Sequence, residues 1–171
     1  GDGEGRLSSC GSEGSYPGLL GHGEGVTRLN TPTRLPSTLG EERVVSVSAG
    51  EYHSLALTAG GSVWSWGYGG SGQLGHGDEQ NQLLPKKVEA LAGRRVVAVS
   101  AGSGHSLALT ADGAVWSWGM GGYGKLGHGD EQDQLLPKKV EALALAGQRV
   151  VAVLAGGHHN LARTADGAVF T

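Results

Sequence analysis

Residues Val96–Gly119 read VVAVSAGSGHSLALTADGAVWSWG, and their pattern assigns the chain to β-structure. In Val96–Ser100 nearly every position is apolar or small, as in a strand covered on both faces. His105–Thr110 places Leu107 and Leu109 on one face and the small Ser106 and Ala108 on the other. Ala111-Asp112-Gly113-Ala114 supplies an Asp-Gly turn, whose glycine takes the positive φ of a tight hairpin. Val115–Trp118 follows as a third strand, with its two indoles two residues apart and therefore on one face. A fourth, outer segment is expected after Pro137, in KKVEAL, with the proline at the start of an edge strand.

The same text recurs along the chain. Val44–Gly67 is a near copy, offset by 52 residues, and a third copy begins at Val150 after a spacing longer by the two extra residues of a duplicated-looking LALAG. LGHG recurs at Leu20, Leu74 and Leu126. Four short antiparallel strands per repeat, in a meander, describe the blade of an all-β propeller. The 33 glycines among 171 residues, far above a usage of about 7%, agree with a chain of many turns. Residues 1–19 are a glycine- and serine-rich, degenerate start without the VWSWG strand, and residues 20–171 carry the repeats, with breaks near 68 and 120.

The run AGxxHSLALTxDGxVWSWGxGxxGxLGxG, followed by P-x-x-V, resembles the repeat of the regulator of chromosome condensation family. That resemblance implies seven-bladed propellers, of which this chain holds about three blade equivalents. Three blades leave open side faces and unpaired edges, so the chain is expected to be an arc of a larger propeller, completed by more polypeptide or by a partner. Rigid blades that hold variable loops toward a partner are expected to make the chain a non-enzymatic protein-interaction scaffold. A regulatory module of a guanine-nucleotide exchange factor or of a ubiquitin ligase is the alternative. In the light-sensing branch of the family a G-W-R-H-[ST] signature supplies tryptophans and arginines; the corresponding positions here are Glu51-Tyr52, Ser103-Gly104 and Gly157-His158.

Other chemistries find little support. Gly119–Asp130, GMGGYGKLGHGD, satisfies both G-x-G-x-x-G and the opening G-x-x-x-x-G-K of a P-loop, but Leu126 stands where Ser or Thr would reach a magnesium ion, and Gln73 replaces Lys125 one repeat earlier. No cofactor and no small-molecule substrate are expected. His53, His105 and His159 share one repeat position and His22, His76 and His128 another, which makes a hydrogen bond within each blade a simpler role than metal binding. Cys10 has no neighbouring base to activate it, and as the sole cysteine it allows no intrachain disulfide and fits a reducing, intracellular setting. A formal charge of −3 lacks the basic excess of a nucleic-acid binder. No apolar run approaches the roughly 20 residues of a membrane span.

Two residue sets carry the remaining expectations. Trp64, Trp66, Trp116 and Trp118 are expected to wedge blades together, so that Trp116→Ala unfolds the chain. Tyr68, Met120 and Tyr123 stand in glycine-rich turns whose geometry does not require them, and are the candidate anchors for a protein partner.

Overall fold

A computed structural model describes residues 6–36, 39, 42–142 and 149–171. The LALAG stretch lies outside the described residues. Two complete antiparallel blades occupy the middle of the chain. The first comprises β3 (Val44–Ala49), β4 (His53–Thr58), β5 (Val63–Gly67) and β6 (Gln82–Lys87), in that spatial order. The second repeats it with β7 (Val96–Ala101), β8 (His105–Thr110), β9 (Val115–Gly119) and β10 (Gln134–Lys139). A third sheet holds β11 (Val150–Ala155), β12 (Asn160–Thr164) and the two-residue β13 (Val169–Phe170). The meander of each repeat is therefore a propeller blade, and the described chain is an arc of about three.

Two expectations about the strands need correction. The outer strand does not start after its proline: Pro85 and Pro137 lie inside β6 and β10, and the following Glu89–Leu91 forms a single 3-10 turn. The ladder is irregular between Gln134 and Lys138, which spares it the N–H that Pro137 lacks. The start of the chain, in turn, does hold a strand equivalent to VWSWG. Here β1 (Ser8–Ser12) pairs with β2 (Arg28–Arg34), and Ser9 Oγ donates to Leu20 O at 2.7 Å, as Ser65 Oγ does to Leu74 O and Ser117 Oγ to Leu126 O. Residues Ser8–Ser12 thus occupy a third-strand position without its indoles.

The core sits between blades. Leu55, Leu57, Val63, Val88 and Leu91 of the first blade pack against Val96, Ala101, Ala108 and Trp118 of the second. Trp118 is fully buried, and its Nε1 donates to Gln73 O of the preceding blade at 2.9 Å; Trp66 donates likewise to Leu19 O at 3.2 Å. The ring of Trp118 lies where a Cβ on Gly75 would meet it at 2.8 Å, so the glycine of LGHG makes room for the next blade's indole. Trp64 and Trp116 are half-buried, and the Arg94 guanidinium stacks 4.1 Å from the Trp116 ring centroid. The deepest indoles are therefore Trp66 and Trp118, and the largest loss on truncation moves from Trp116 to Trp118.

The histidines divide by repeat position. His76 and His128 accept from or donate to Ser65 and Ser117 of their own blade, at 3.0 and 2.9 Å, and His22 meets Ser9 at 3.1 Å. The other set bonds across blades rather than within them: His53 Nε2 meets Ser106 Oγ and His105 Nε2 meets Asn160 Oδ1, each at 2.7 Å. His53 and His105 are fully buried, whereas His159 is exposed.

Burial pushes the His53 imidazole down to about 3 and His76 to about 4, so both are neutral in the folded chain above those pH values, whereas unfolding lets them charge below about 6.5. The folded pKa lies below the unfolded value of about 6.5, so this stability is complete above pH 6.5 and is lost as pH falls toward 3. His53 alone should contribute a slope of about 1.4 kcal/mol per pH unit in that window. Thermal melts should show a plateau above neutrality and a steep fall below it, with the fall reduced in His53→Gln. Equal melting temperatures at pH 7.5 and 4.5 would contradict it.

Candidate functional site: an aromatic loop face

The turns that open each second strand and the loops that leave each third strand meet along one rim. Tyr68 N donates to Tyr52 O and Met120 N to Gly104 O, both at 2.8 Å, because Gly67 and Gly119 end their strands at positive φ and redirect the chain. Adjacent turns are tied together as well. Ser103 Oγ donates to Glu51 Oε2 at 2.8 Å, and Glu51 N to Gly102 O at 3.3 Å.

Two aromatic groups stand on this rim. Tyr16, Tyr52 and Tyr68 form a cluster with ring centroids 4.4, 5.4 and 6.3 Å apart. Glu51 takes a hydrogen bond from Tyr52, which holds its carboxyl below the ordinary range, and the same bond pushes the Tyr52 hydroxyl up to about 12. Tyr123 anchors the second group, its ring 5.4 Å from that of His158 and 5.9 Å from Lys125 Nζ. Among the described residues Tyr123 is the one non-glycine at positive φ, and it is 79% exposed. A bulky side chain held in that conformation costs about 1–2 kcal/mol, with no burial to offset it.

The structure places the three anchors differently. Met120 (40% exposed) and Tyr123 face solvent, while Tyr68 is half-buried in its cluster. Tyr16, Tyr52, Glu51 and His158 were not among the anchors read from sequence. Tyr52 and His158 both occupy the arginine position of the G-W-R-H-[ST] signature and Glu51 its tryptophan position, the signal that could have marked them, whereas Tyr16 precedes the recognisable repeats.

Lys125 is largely buried, and desolvation lowers its pKa. A three-residue 3-10 turn, Gly122–Gly124, precedes it and β10 follows, so the loop lacks the strand-loop-helix frame of a P-loop. Among the described residues no three His, Cys, Asp or Glu side chains gather as a metal set, and Cys10 is exposed.

The regulator of chromosome condensation (RCC1) repeat model matches residues 4–57, 60–109 and 112–163. The E3 ubiquitin-protein ligase HERC2 of Homo sapiens is 45% identical over 170 residues, covering 98% of this chain and 3% of that protein. The ultraviolet-B receptor UVR8 of Arabidopsis thaliana is 39% identical over 154 residues, covering 90% of this chain and 34% of the receptor. The chain thus spans a small part of these relatives. Among solved structures, Prp20p of Saccharomyces cerevisiae aligns with a TM-score of 0.78 at 27% identity, over 92% of this chain and 39% of its own. Human WBSCR16 aligns with a TM-score of 0.79 at 27% identity, over 94% and 40%. Each matched repeat straddles two sheets: residues 60–109 hold β5 and β6 of one blade and β7 and β8 of the next, so the repeat itself carries the junction. With three such repeats in tandem, this chain belongs to the regulator of chromosome condensation repeat family.

Proposed function

We propose that the chain is a non-enzymatic, intracellular protein-interaction scaffold whose aromatic loop face binds a protein partner, with Met120 and Tyr123 as its anchors. The observation that carries this reading is Tyr123, an exposed aromatic ring in a conformation the fold does not need. Blade packing explains the tryptophans and histidines but not this residue. Solved relatives support a protein partner: Prp20p was examined for binding to Gsp1p and histones, and it has been solved bound to Kap60. Its role in this chain is positional, since rigid blades hold the loops still and the loops make the contacts.

The likeness to HERC2 favours a second reading, a regulatory propeller module within a ubiquitin ligase whose catalysis lies elsewhere. Both readings predict the same test on this chain. Met120→Ser with Tyr123→Ser should weaken capture of a protein partner at least tenfold and leave the melting temperature within a few degrees. Undiminished capture by the double variant would contradict the anchor assignment. Added to nucleotide-loaded Ran GTPase, the chain should leave release unaccelerated; acceleration would favour an exchange factor instead.

A further inference from the structure

Both complete blades carry the same polar cradle at the end of their strands opposite the aromatic rim, where the turn joining the second and third strands meets the segment entering the first. In the first complete blade Glu42 fills it. Its carboxylate accepts from Thr58 Oγ1 at 2.6 Å and from Ser62 Oγ at 3.5 Å, and lies 3.7 Å from Lys87 Nζ. The Thr58 bond, joined by Ser62 and Lys87, holds that carboxyl below its ordinary range.

The second complete blade keeps the cradle and reverses its charge. One repeat later Thr110 stands for Thr58, Lys139 for Lys87 and Arg94 for Glu42. Lys139 pairs with Trp116 across the strands as Lys87 does with Trp64, so ammonium and indole share a face. The Arg94 guanidinium rests over the same indole, 4.1 Å from its centroid. Beside them is a cleft of about 350 Å³ lined by Arg94, Arg95, Asp112, Trp116 and Lys139. A cleft of about 290 Å³ shares Arg94 and Arg95 with it and continues to Ser62, Lys87 and Leu91. The resulting groove crosses the junction of the two blades with four cations along it.

The carboxylates nearby leave two of those cations unmatched. Asp112 accepts from Thr110 Oγ1 at 2.5 Å and Ala114 N at 3.2 Å, Lys87 has Glu42, and Lys139 meets the exposed Glu141 at 3.8 Å. Among the described residues no carboxylate and no hydrogen-bond acceptor meets the guanidinium of Arg94 or Arg95. Arg149, the counterpart of Arg95 one repeat on, instead donates to Ala111 O at 3.2 Å.

We propose that this groove binds an acidic segment of a partner protein, with a carboxylate held between Arg94 and Lys139 supplying the charge that Glu42 supplies in the first complete blade. Arg94, stacked on its indole, presents a planar fork suited to a carboxylate. A segment rather than a single anion fits, because the groove runs on past Arg95 to Lys87. The formal charge of −3 and Asp112 in the wall disfavour a nucleic-acid backbone. The site lies apart from Met120 and Tyr123 and does not depend on their role.

Fluorescence anisotropy of a fluorescein-labelled peptide of alternating Glu and Gly, with its Gln-Gly counterpart as neutral probe, tests this on the 171-residue chain. The Glu peptide alone should bind, and Arg94→Glu should weaken it at least about tenfold. That substitution installs the residue the first complete blade already holds at the same position, so the thermal melt should be kept. Arg94→Gln should weaken binding in the same direction, which preserves the test if the first variant folds poorly. Arg28→Glu, the same charge change away from the groove, should leave affinity within about twofold. Absence of binding, undiminished binding by both Arg94 variants, an equal loss in Arg28→Glu, or stronger competition from duplex DNA or inorganic phosphate than from unlabelled Glu peptide would each overturn the proposal.

Discussion

Trp118→Ala is expected to lower the melting temperature by about 6–20 °C, the largest effect of any single side-chain truncation in the chain. Trp118 is fully buried, packs against Leu55, Leu57 and Val63 of the preceding blade, and donates to Gln73 O. Truncation removes a fully buried indole and leaves a cavity at the junction, which costs about 3–5 kcal/mol, while Gln73 O keeps the bond from Ser106 Oγ at 2.8 Å. That is a large share of a stability of about 5–15 kcal/mol. Trp116→Ala should cost clearly less, since its half-buried ring stacks under Arg94 and its Nε1 has no acceptor to lose. Thermal melts of the two variants side by side make the comparison, and equal losses would contradict the assignment of Trp118 as the wedge.

Gly119→Ala is expected to be nearly as damaging, at about 2–5 kcal/mol. Gly119 sits at φ +99°, and a Cβ there would lie 2.6 Å from Gly104 O, 2.8 Å from His105 Cα and 3.0 Å from Gln73 Cα. Two of these belong to its own blade and one to the blade before, so the added methyl opposes both the turn and the junction. Gly122→Ala, three residues on, meets nothing within 4 Å and should change little. The two substitutions fall in one GMGGYG motif, so their contrast separates a backbone requirement from a ligand-binding one. Similar melts for both, or a nucleotide that stabilises the native chain and not Gly119→Ala, would reverse the conclusion.

Sequence patterning revealed the blade because blade formation is local. The alternation in His105–Thr110 and the Asp-Gly turn that follows specify a hairpin without reference to the rest of the chain, and β8 spans those residues. The proline misled, because an outer strand tolerates a missing donor in its interior when the ladder bulges, and nothing in KKVEAL announces the bulge. Ser8–Ser12 escaped notice for a related reason. Its indoles are gone, and the surviving mark is Ser9, whose meaning depends on a bond to Leu20 O. The loop face was legible only in part. Met120 and Tyr123 stood out as needless in their turns, but the Tyr16, Tyr52 and Tyr68 cluster joins residues from three separate stretches, and only the packing of two blades brings them together. The histidines show the same limit, since their periodicity was plain and their partners, 53 or 55 residues away, were not.

Underlying all of this is the idea that repeated polar residues bind one blade to the next. A double-mutant cycle on His53→Ala and Ser106→Ala measures it most directly, because the two side chains meet at 2.7 Å across a junction and belong to different sheets. The predicted result is a coupling energy of about 0.5–3 kcal/mol in favour of the pair. Strict additivity of the two single losses would contradict it.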